Sequence, residues 1–282
     1  MENKDLELEH LKQKAENDIE LIKPTVISYS EFQFAYDLFN EKLFNGELPQ
    51  VLVTFQRGKK YLGYFSPNRF AGKSIVAELA MNPDLFAVRT PADILSTFAH
   101  EMAHVWQEYL CEKKPKIGNY HDKYWAAKME EIGLTPSNTG LPGGKKTGKS
   151  MTHYITPKGK FQDVVFDMIK DGFNISWFDQ FGYNNYGTTL SAVDEEVLAY
   201  WKSKTDDPEL IKKMTQVMGQ DQEAVILDFD SLAEMQEKKK KRNKTRVKFT
   251  CPSCKLNMWG KPGAFVFCGE CDESLLPEPE DE

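Results

Sequence analysis

An α+β fold follows from three observations in this 282-residue chain. Stretches around residues 90–110 and 121–133 carry apolar side chains at three- and four-residue spacing, the period of helices buried along one face. Two short β-rich runs precede them, Val51-Leu52-Val53-Thr54-Phe55 and Ile75-Val76-Ala77-Glu78-Leu79-Ala80-Met81. Two Cys-x-x-Cys pairs close to the C-terminus mark a second, much smaller unit.

The first helix has a clear start at Thr90-Pro91-Ala92-Asp93. Thr90 can cap, Pro91 fits the first helical position, and Asp93 places negative charge beside unpaired amides. Ile94, Leu95, Phe98, Met102, Val105 and Trp106 form the apolar face, and Pro115 and Gly118 end the run. Inside it stands His100-Glu101-Met102-Ala103-His104. Histidines four apart project from one face, one turn apart, so both imidazoles can reach the same cation. Glu101 is close enough to work on a water at that cation without being a ligand. The bare pattern also occurs in ordinary core or surface helices, and a catalytic zinc needs a third protein ligand plus an open position.

The chain has five histidines. His10 lies in a charged N-terminal segment and reads as solvated. His121 opens the second helical pattern, with Trp125, Ala126, Met129 and Ile132 on its apolar face and Gly133 closing it. The turn-rich link at 115–119 would let that helix fold back beside the first. His121 is therefore the expected third ligand, and His153 the alternative or a substrate-side group.

At this point the chain resembles the SprT-like metallopeptidase family over about residues 29–136, and again at its C-terminus. The resemblance is carried by Leu38-Phe39-Asn40, Leu43-Phe44-Asn45-Gly46-Glu47-Leu48-Pro49 and Leu62-Gly63-Tyr64-Phe65-Ser66-Pro67. It continues through the strand before the motif helix, then Tyr120-His121-Asp122, Trp125, Met129 and Gly133-Leu134. It implies a zincin-type metallopeptidase domain in which His100, His104 and His121 bind a catalytic Zn2+ and Glu101 is the general base. In such sites zinc brings the pKa of its water to about 7 and polarises the scissile carbonyl. The glutamate moves the proton from water to the leaving amine. Tyr64, His153 and Tyr154 are candidates for the oxyanion or substrate donor, and the sequence does not choose among them.

Four of the five cysteines are Cys251, Cys254, Cys268 and Cys271, with thirteen residues between the pairs. They offer four thiolates to one tetrahedral zinc, with a turn near 261–263 and a strand at Val266 and Phe267. The absence of a signal pattern disfavours disulfides, and a matched pair of knuckles disfavours a redox role. A site closed by four thiolates is structural, and so small a unit would fold with its metal. SprT-like proteins often end in such a zinc ribbon. Cys111 reads as an unreactive thiol.

Hydrophobic residues make up 40% of the chain, somewhat low, as long tails and linkers would make it. No stretch is apolar enough to span a bilayer and the N-terminus lacks a signal pattern, so a cytoplasmic protein without membrane contact is expected. The net charge of −7 hides eight basic residues without an acid: Lys238, Lys239, Lys240, Lys241, Arg242, Lys244, Arg246 and Lys248. Such a run can contact phosphates, or serve as a solvated linker or a helix continuing from 232–235. The family resemblance implies DNA contact, since its better-known members act on DNA-bound protein.

Gly143-Gly144-Lys145-Lys146-Thr147-Gly148-Lys149-Ser150 matches the phosphate-loop pattern letter for letter. Its flanks supply neither a buried strand before it nor a helix after it, so it reads as a flexible loop near the site. Beyond it come a strand-like Val164-Val165-Phe166, an aromatic Asn/Gly-rich stretch at 175–186, and helical patterns at 195–201 and 208–218. The expected organisation is a helical, charged extension (1–28), a metallopeptidase domain (29–136), a loop and mixed extension (137–236), a basic linker (237–250), a zinc ribbon (251–271) and an acidic tail (272–282). The leading expectation is a zinc endopeptidase acting on protein substrates, including DNA-associated ones. Its rivals are a non-catalytic nucleic-acid-binding scaffold and hydrolysis of a non-protein amide. The intact Glu101 favours an enzyme. Oligomeric state leaves no mark.

Overall fold

The computed structural model describes residues 23–58, 61–113, 120–179, 181, 193–219 and 246–277. They fall into two compact units, within Met1–Ile226 and Leu227–Glu282. The expectations for residues 1–22, 115–119 and 232–244 lie outside the described residues.

The first unit opens with α1 (Pro24–Leu43), which starts on a proline and buries Phe32, Ala35, Tyr36 and Phe39. It runs without a break across the expected boundary at 28/29. Past its end, Asn45 and Gly46 turn the chain in left-handed conformations, φ 60° and 73°. The buried Asn40 side chain then pairs with both backbone groups of Leu48, at 3.0 and 3.1 Å. That reciprocal bond explains the Asn40-to-Pro49 pattern physically: an internal amide satisfies a turn that the core covers.

Three strands follow, β1 (Leu52–Phe55), β2 (Gly63–Ala71) and β3 (Ile75–Met81), in the order β1-β3-β2. β1 lies parallel and β2 antiparallel to β3, so β2 is an edge strand. A 3-10 turn, Pro83–Val88, leads into α2 (Pro91–Tyr109), whose Asp93 amide donates to Thr90 Oγ1 at 3.2 Å. In α3 (Lys123–Ile132) Asp122 Oδ1 accepts from the Tyr124 and Trp125 amides at 2.9 and 3.0 Å. Gly133 ends α3 at φ 93°, where a Cβ would stand 2.8 Å from the amides of Lys160 and Phe161. Strands β4 (Leu134–Ser137) and β5 (Thr152–Ile155) pair antiparallel.

The next segment corrects one expectation. Val164-Val165-Phe166 is not a strand; it lies within α4 (Lys160–Lys170). Phe161, Val165, Phe166, Met168 and Ile169 are buried, a helical period that the three-residue apolar run obscures. Helices α5 (Glu195–Lys204) and α6 (Pro208–Thr215) occupy the patterns expected at 195–201 and 208–218, the second ending three residues early. Phe161, Val165, Val197, Trp201, Leu210 and Met214 belong to the same core as Phe32, Phe39, Phe98 and Trp125. The described part of 137–236 is thus built into the first unit rather than appended to it. Residues 173–179 carry no helix or strand, with Ile175 buried and Trp177 and Phe178 exposed.

The second unit holds β6 (Val247–Thr250), β7 (Asn257–Gly260), β8 (Phe267–Cys268), β9 (Glu273–Ser274) and β10 (Leu276–Pro277). Its sheets have the order β10-β6-β7 and the pair β8-β9. Among its described residues the buried set is Phe249, Cys251, Cys268 and Leu275. No described helix is long and apolar enough to cross a membrane.

If 160–215 shares the core, Phe161→Ala destabilises the first unit by about 3–5 kcal/mol in urea denaturation followed by circular dichroism. A loss under about 1 kcal/mol would show that this segment is an appendage.

Candidate metal centres

The histidine centre is built where α2 meets the start of α3. His100 and His104 lie one turn apart on α2, their ring centroids 5.2 Å from each other. His121 precedes α3 and is pinned by a two-way backbone bridge, its amide to the Gly148 carbonyl at 2.8 Å and the reverse at 3.0 Å. Trp125 is fully buried and forms a common wall, its ring 4.8, 5.5 and 4.4 Å from those of His100, His104 and His121. One ligand nitrogen from each histidine lies within 4.8 Å of the others, and His104 Nε2 is 3.1 Å from His121 Nε2. Converging imidazole nitrogens of this kind form a donor set for one cation.

Outer contacts hold each ring. His121 Nδ1 lies 3.2 Å from the Gly148 carbonyl. The Gln107 side chain hydrogen-bonds the His104 ring and donates to Asp122 Oδ1 at 2.9 Å, the oxygen that caps α3. His100 Nδ1 lies 3.1 Å from His153 Nδ1, and His153 Nε2 2.9 Å from Ser96 Oγ. Burial holds all four rings neutral. It pulls His100 well below its ordinary value and lowers His121. It takes His104 and His153 to about 3, with the Arg89 guanidinium adding to the effect on His153.

Glu101 is buried beside these rings, and desolvation pushes its carboxyl up to about 8. Gly63 on β2 presses against it: a Cβ there would meet Glu101 Cγ at 3.2 Å and the Ala80 carbonyl at 2.9 Å. A cleft of about 810 Å³ opens over the three histidines and Glu101, lined by Gly63 and Tyr64 of the edge strand and by Lys149 and Ser150 across from them. Of the three donor candidates, Tyr64 and His153 line this cleft. The Tyr64 hydroxyl donates to the buried Glu78 at 3.2 Å. Tyr154, next to His153 on β5, is carried to the opposite face and does not line the cleft.

The phosphate-loop look-alike has β4 ending six residues before it and a strand, not a helix, after it. Its segment is tied down by the His121–Gly148 bridge and by paired bonds between Asn138 and Lys145, rather than left as a free loop. Ser96, Gln107, Asp122, Gly148 and Gly63 are the site residues that sequence reasoning passed over. Ser96 stands four before His100 and Gln107 three after His104, so helical spacing could have exposed them. Gly148 and Gly63 act across distant chain and carry no local signal.

In the second unit the sulfurs of Cys251, Cys254, Cys268 and Cys271 lie within 4.8 Å of one another. The knuckles are matched. The Lys255 amide bonds the Cys251 carbonyl at 3.1 Å and the Asp272 amide the Cys268 carbonyl at 2.9 Å. Lys255 and Asp272 both adopt left-handed φ, 61° and 53°. A Cys254 amide draws the Cys251 thiol down to about 7, while neighbouring sulfurs, Cys254 first, push Cys271 up to about 12. Four crowded thiols cannot all ionise unaided, and a cation removes that conflict. Gly263 makes the expected turn at φ 77°. Cys111 stands apart, its Sγ 3.2 Å from the Lys113 carbonyl. Of the eight basic residues, Arg246 and Lys248 lie at the start of this unit; Lys238, Lys239, Lys240, Lys241, Arg242 and Lys244 fall outside the described residues.

The description of the SprT-like family matches residues 33–146. An "Uncharacterized protein in mucB 3'region" of Salmonella typhimurium is 56% identical over 50 residues, 18% of this chain and 68% of that protein. No solved structure matches the chain.

Two opposed pH trends follow for the metal-free protein. The four histidines bind fewer protons folded than unfolded, so stability falls as pH drops from about 6.5 towards 3. Glu101 binds more protons folded, so the cost of ionising it grows as pH rises from about 4.5 to about 8. With chelator present, Glu101→Gln should gain Tm over wild type progressively between about pH 5 and 8. Parallel curves across that window would contradict the buried, uncompensated carboxyl.

Proposed function

The chain belongs to the SprT-like family, and on that premise we propose that it is a zincin-type, zinc-dependent endopeptidase that cleaves protein substrates associated with DNA. The carrying observation is the convergence of His100, His104 and His121 in a cleft with Glu101 beside them. Three neutral imidazoles with a cleft above them suit a zinc site with an open position, and four thiolates suit a closed structural one. Zinc in the histidine centre supplies Lewis-acid polarisation of a carbonyl and acidification of a water.

The chain's own residues do the rest. Burial leaves the Glu101 carboxylate weakly solvated and therefore basic, suited to take a proton from the attacking water and hand it to the leaving amine. Gly63 leaves room for that side chain, and its strand β2 is a sheet edge along the cleft. An extended peptide adding a strand there would lie over the histidines, main chain to main chain. Tyr64 and His153 both line the cleft; the Tyr64 hydroxyl is held by Glu78 and would have to turn from it to serve as donor, and His153 is engaged with His100 and Ser96.

The nucleic-acid part of the reading rests on the second unit. Trp259, Phe265 and Phe267 are exposed there, at 61%, 84% and 58%, and Lys248 stands directly opposite Trp259 between β6 and β7. Aromatic faces beside cations suit bases and phosphates of single strands. Unpaired cysteines held as metal ligands suit a reducing, cytoplasmic compartment.

Incubation with a DNA-bound protein tests the catalytic reading. Wild type cleaves it, and Glu101→Gln, with its zinc retained, loses roughly 10²–10⁴-fold in rate. Equal inertness of both zinc-loaded proteins, with single- and double-stranded DNA, would leave a binding or scaffold role instead. For the second unit, Trp259→Ala with Lys248→Gln should weaken single-stranded DNA binding at least about tenfold and flatten its salt dependence. Unchanged affinity sinks the DNA reading.

A further inference from the structure

Resting on the reading of His100 as a metal ligand, we propose that His153 is a positioning residue that fixes the tautomer of His100 through an ordered hydrogen-bond chain ending at a backbone carbonyl.

The direction of the chain is set at its far end. The Asp93 carbonyl can only accept, and Ser96 Oγ lies 2.8 Å from it. The single Ser96 proton is committed there, so the same oxygen accepts from His153 Nε2 at 2.9 Å. A neutral imidazole protonated at Nε2 is bare at Nδ1. That bare Nδ1 lies 3.1 Å from His100 Nδ1, which must therefore carry the proton and donate it. His100 is left with a lone pair on Nε2, the state a metal ligand needs. The reverse order would protonate His100 Nε2 and close that nitrogen to a cation.

Two further observations hold the order in place. Arg89 is buried and donates to both the Asp93 carbonyl and Thr97 Oγ1, at 2.6 and 3.0 Å, so the chain ends against fixed donors. His153 itself is outside the group whose ligand atoms lie within 4.8 Å of one another. The other two ligands have their own acceptors, Gln107 for His104 and the Gly148 carbonyl for His121. Among the described residues only His100 depends on a side chain from outside α2 and α3, carried on β5 opposite Pro136.

The test is zinc affinity of the full chain, measured by competition with a chromophoric chelator. His153→Ala should bind about 10–100-fold more weakly at the histidine site, with its circular dichroism unchanged. His153→Gln, whose carbonyl can accept from His100 and whose amide can donate to Ser96, should recover most of that loss, and Ser96→Ala should lose a few-fold. In zinc-loaded wild type, nitrogen NMR should show His100 protonated at Nδ1. Should His153→Ala not fold, the glutamine and Ser96→Ala variants with the NMR signature decide. Wild-type affinity in His153→Ala, a glutamine variant as weak as alanine, or a His100 proton on Nε2 would overturn the proposal. His100→Ala separates the two readings: if it keeps the ion, the metal centre itself is misassigned, whatever His153 does.

Discussion

Three imidazoles whose nitrogens lie within 4.8 Å of one another, His100 buried and His104 and His121 half-buried, hold protons weakly, burial lowering the pKa of each. That constraint organises the first unit. Protonation would set cations against each other at short range, so the folded state favours neutral rings and their lone pairs converge. Holding them takes the crossing of α2 with α3, the Trp125 wall, and a core that reaches from Phe32 and Phe39 to Trp201 and Met214. The same burial that lowers the histidines raises Glu101, so one property of the site prepares both the donor set and the proposed base.

The two centres divide by what surrounds the donors. The histidine centre opens into a cleft bordered by an edge strand. The cysteine centre is made of matched knuckles, each closed by an amide bonding back to the carbonyl of its first cysteine. The described part of this second unit has few buried residues, so a metal bound there would contribute much of its stability, whereas the first has an apolar core of its own.

Legibility in the sequence followed the range of the interactions. The cap at Thr90, the Gly133 stop, the one-turn histidine spacing and the cysteine knuckles are all set within a few residues, and each is where its pattern predicted. His121 was readable because it opens the next helical pattern after the motif helix in sequence. Val164 to Phe166 misled because three apolar residues in a row suit a strand or a buried helix equally, and only the wider spacing to Phe161 and Ile169 separates them. The role of His153 depends on β5 pairing with β4, and that of Gly148 on a bridge spanning 27 residues. No local spacing encodes either contact. The phosphate-loop look-alike shows the reverse: a pattern complete in letters whose flanking elements give it a different use, fastening His121 in place.

Metal content most directly tests whether imidazoles from α2 and from the segment just before α3 form one cation site beside a separate thiolate site. Elemental analysis of the purified full chain should find two zinc ions in wild type and one in His121→Ala, with the remaining ion resistant to mild chelation. Two tightly held ions in both proteins would show that His121 is not a ligand and that the centre has been built from the wrong residues.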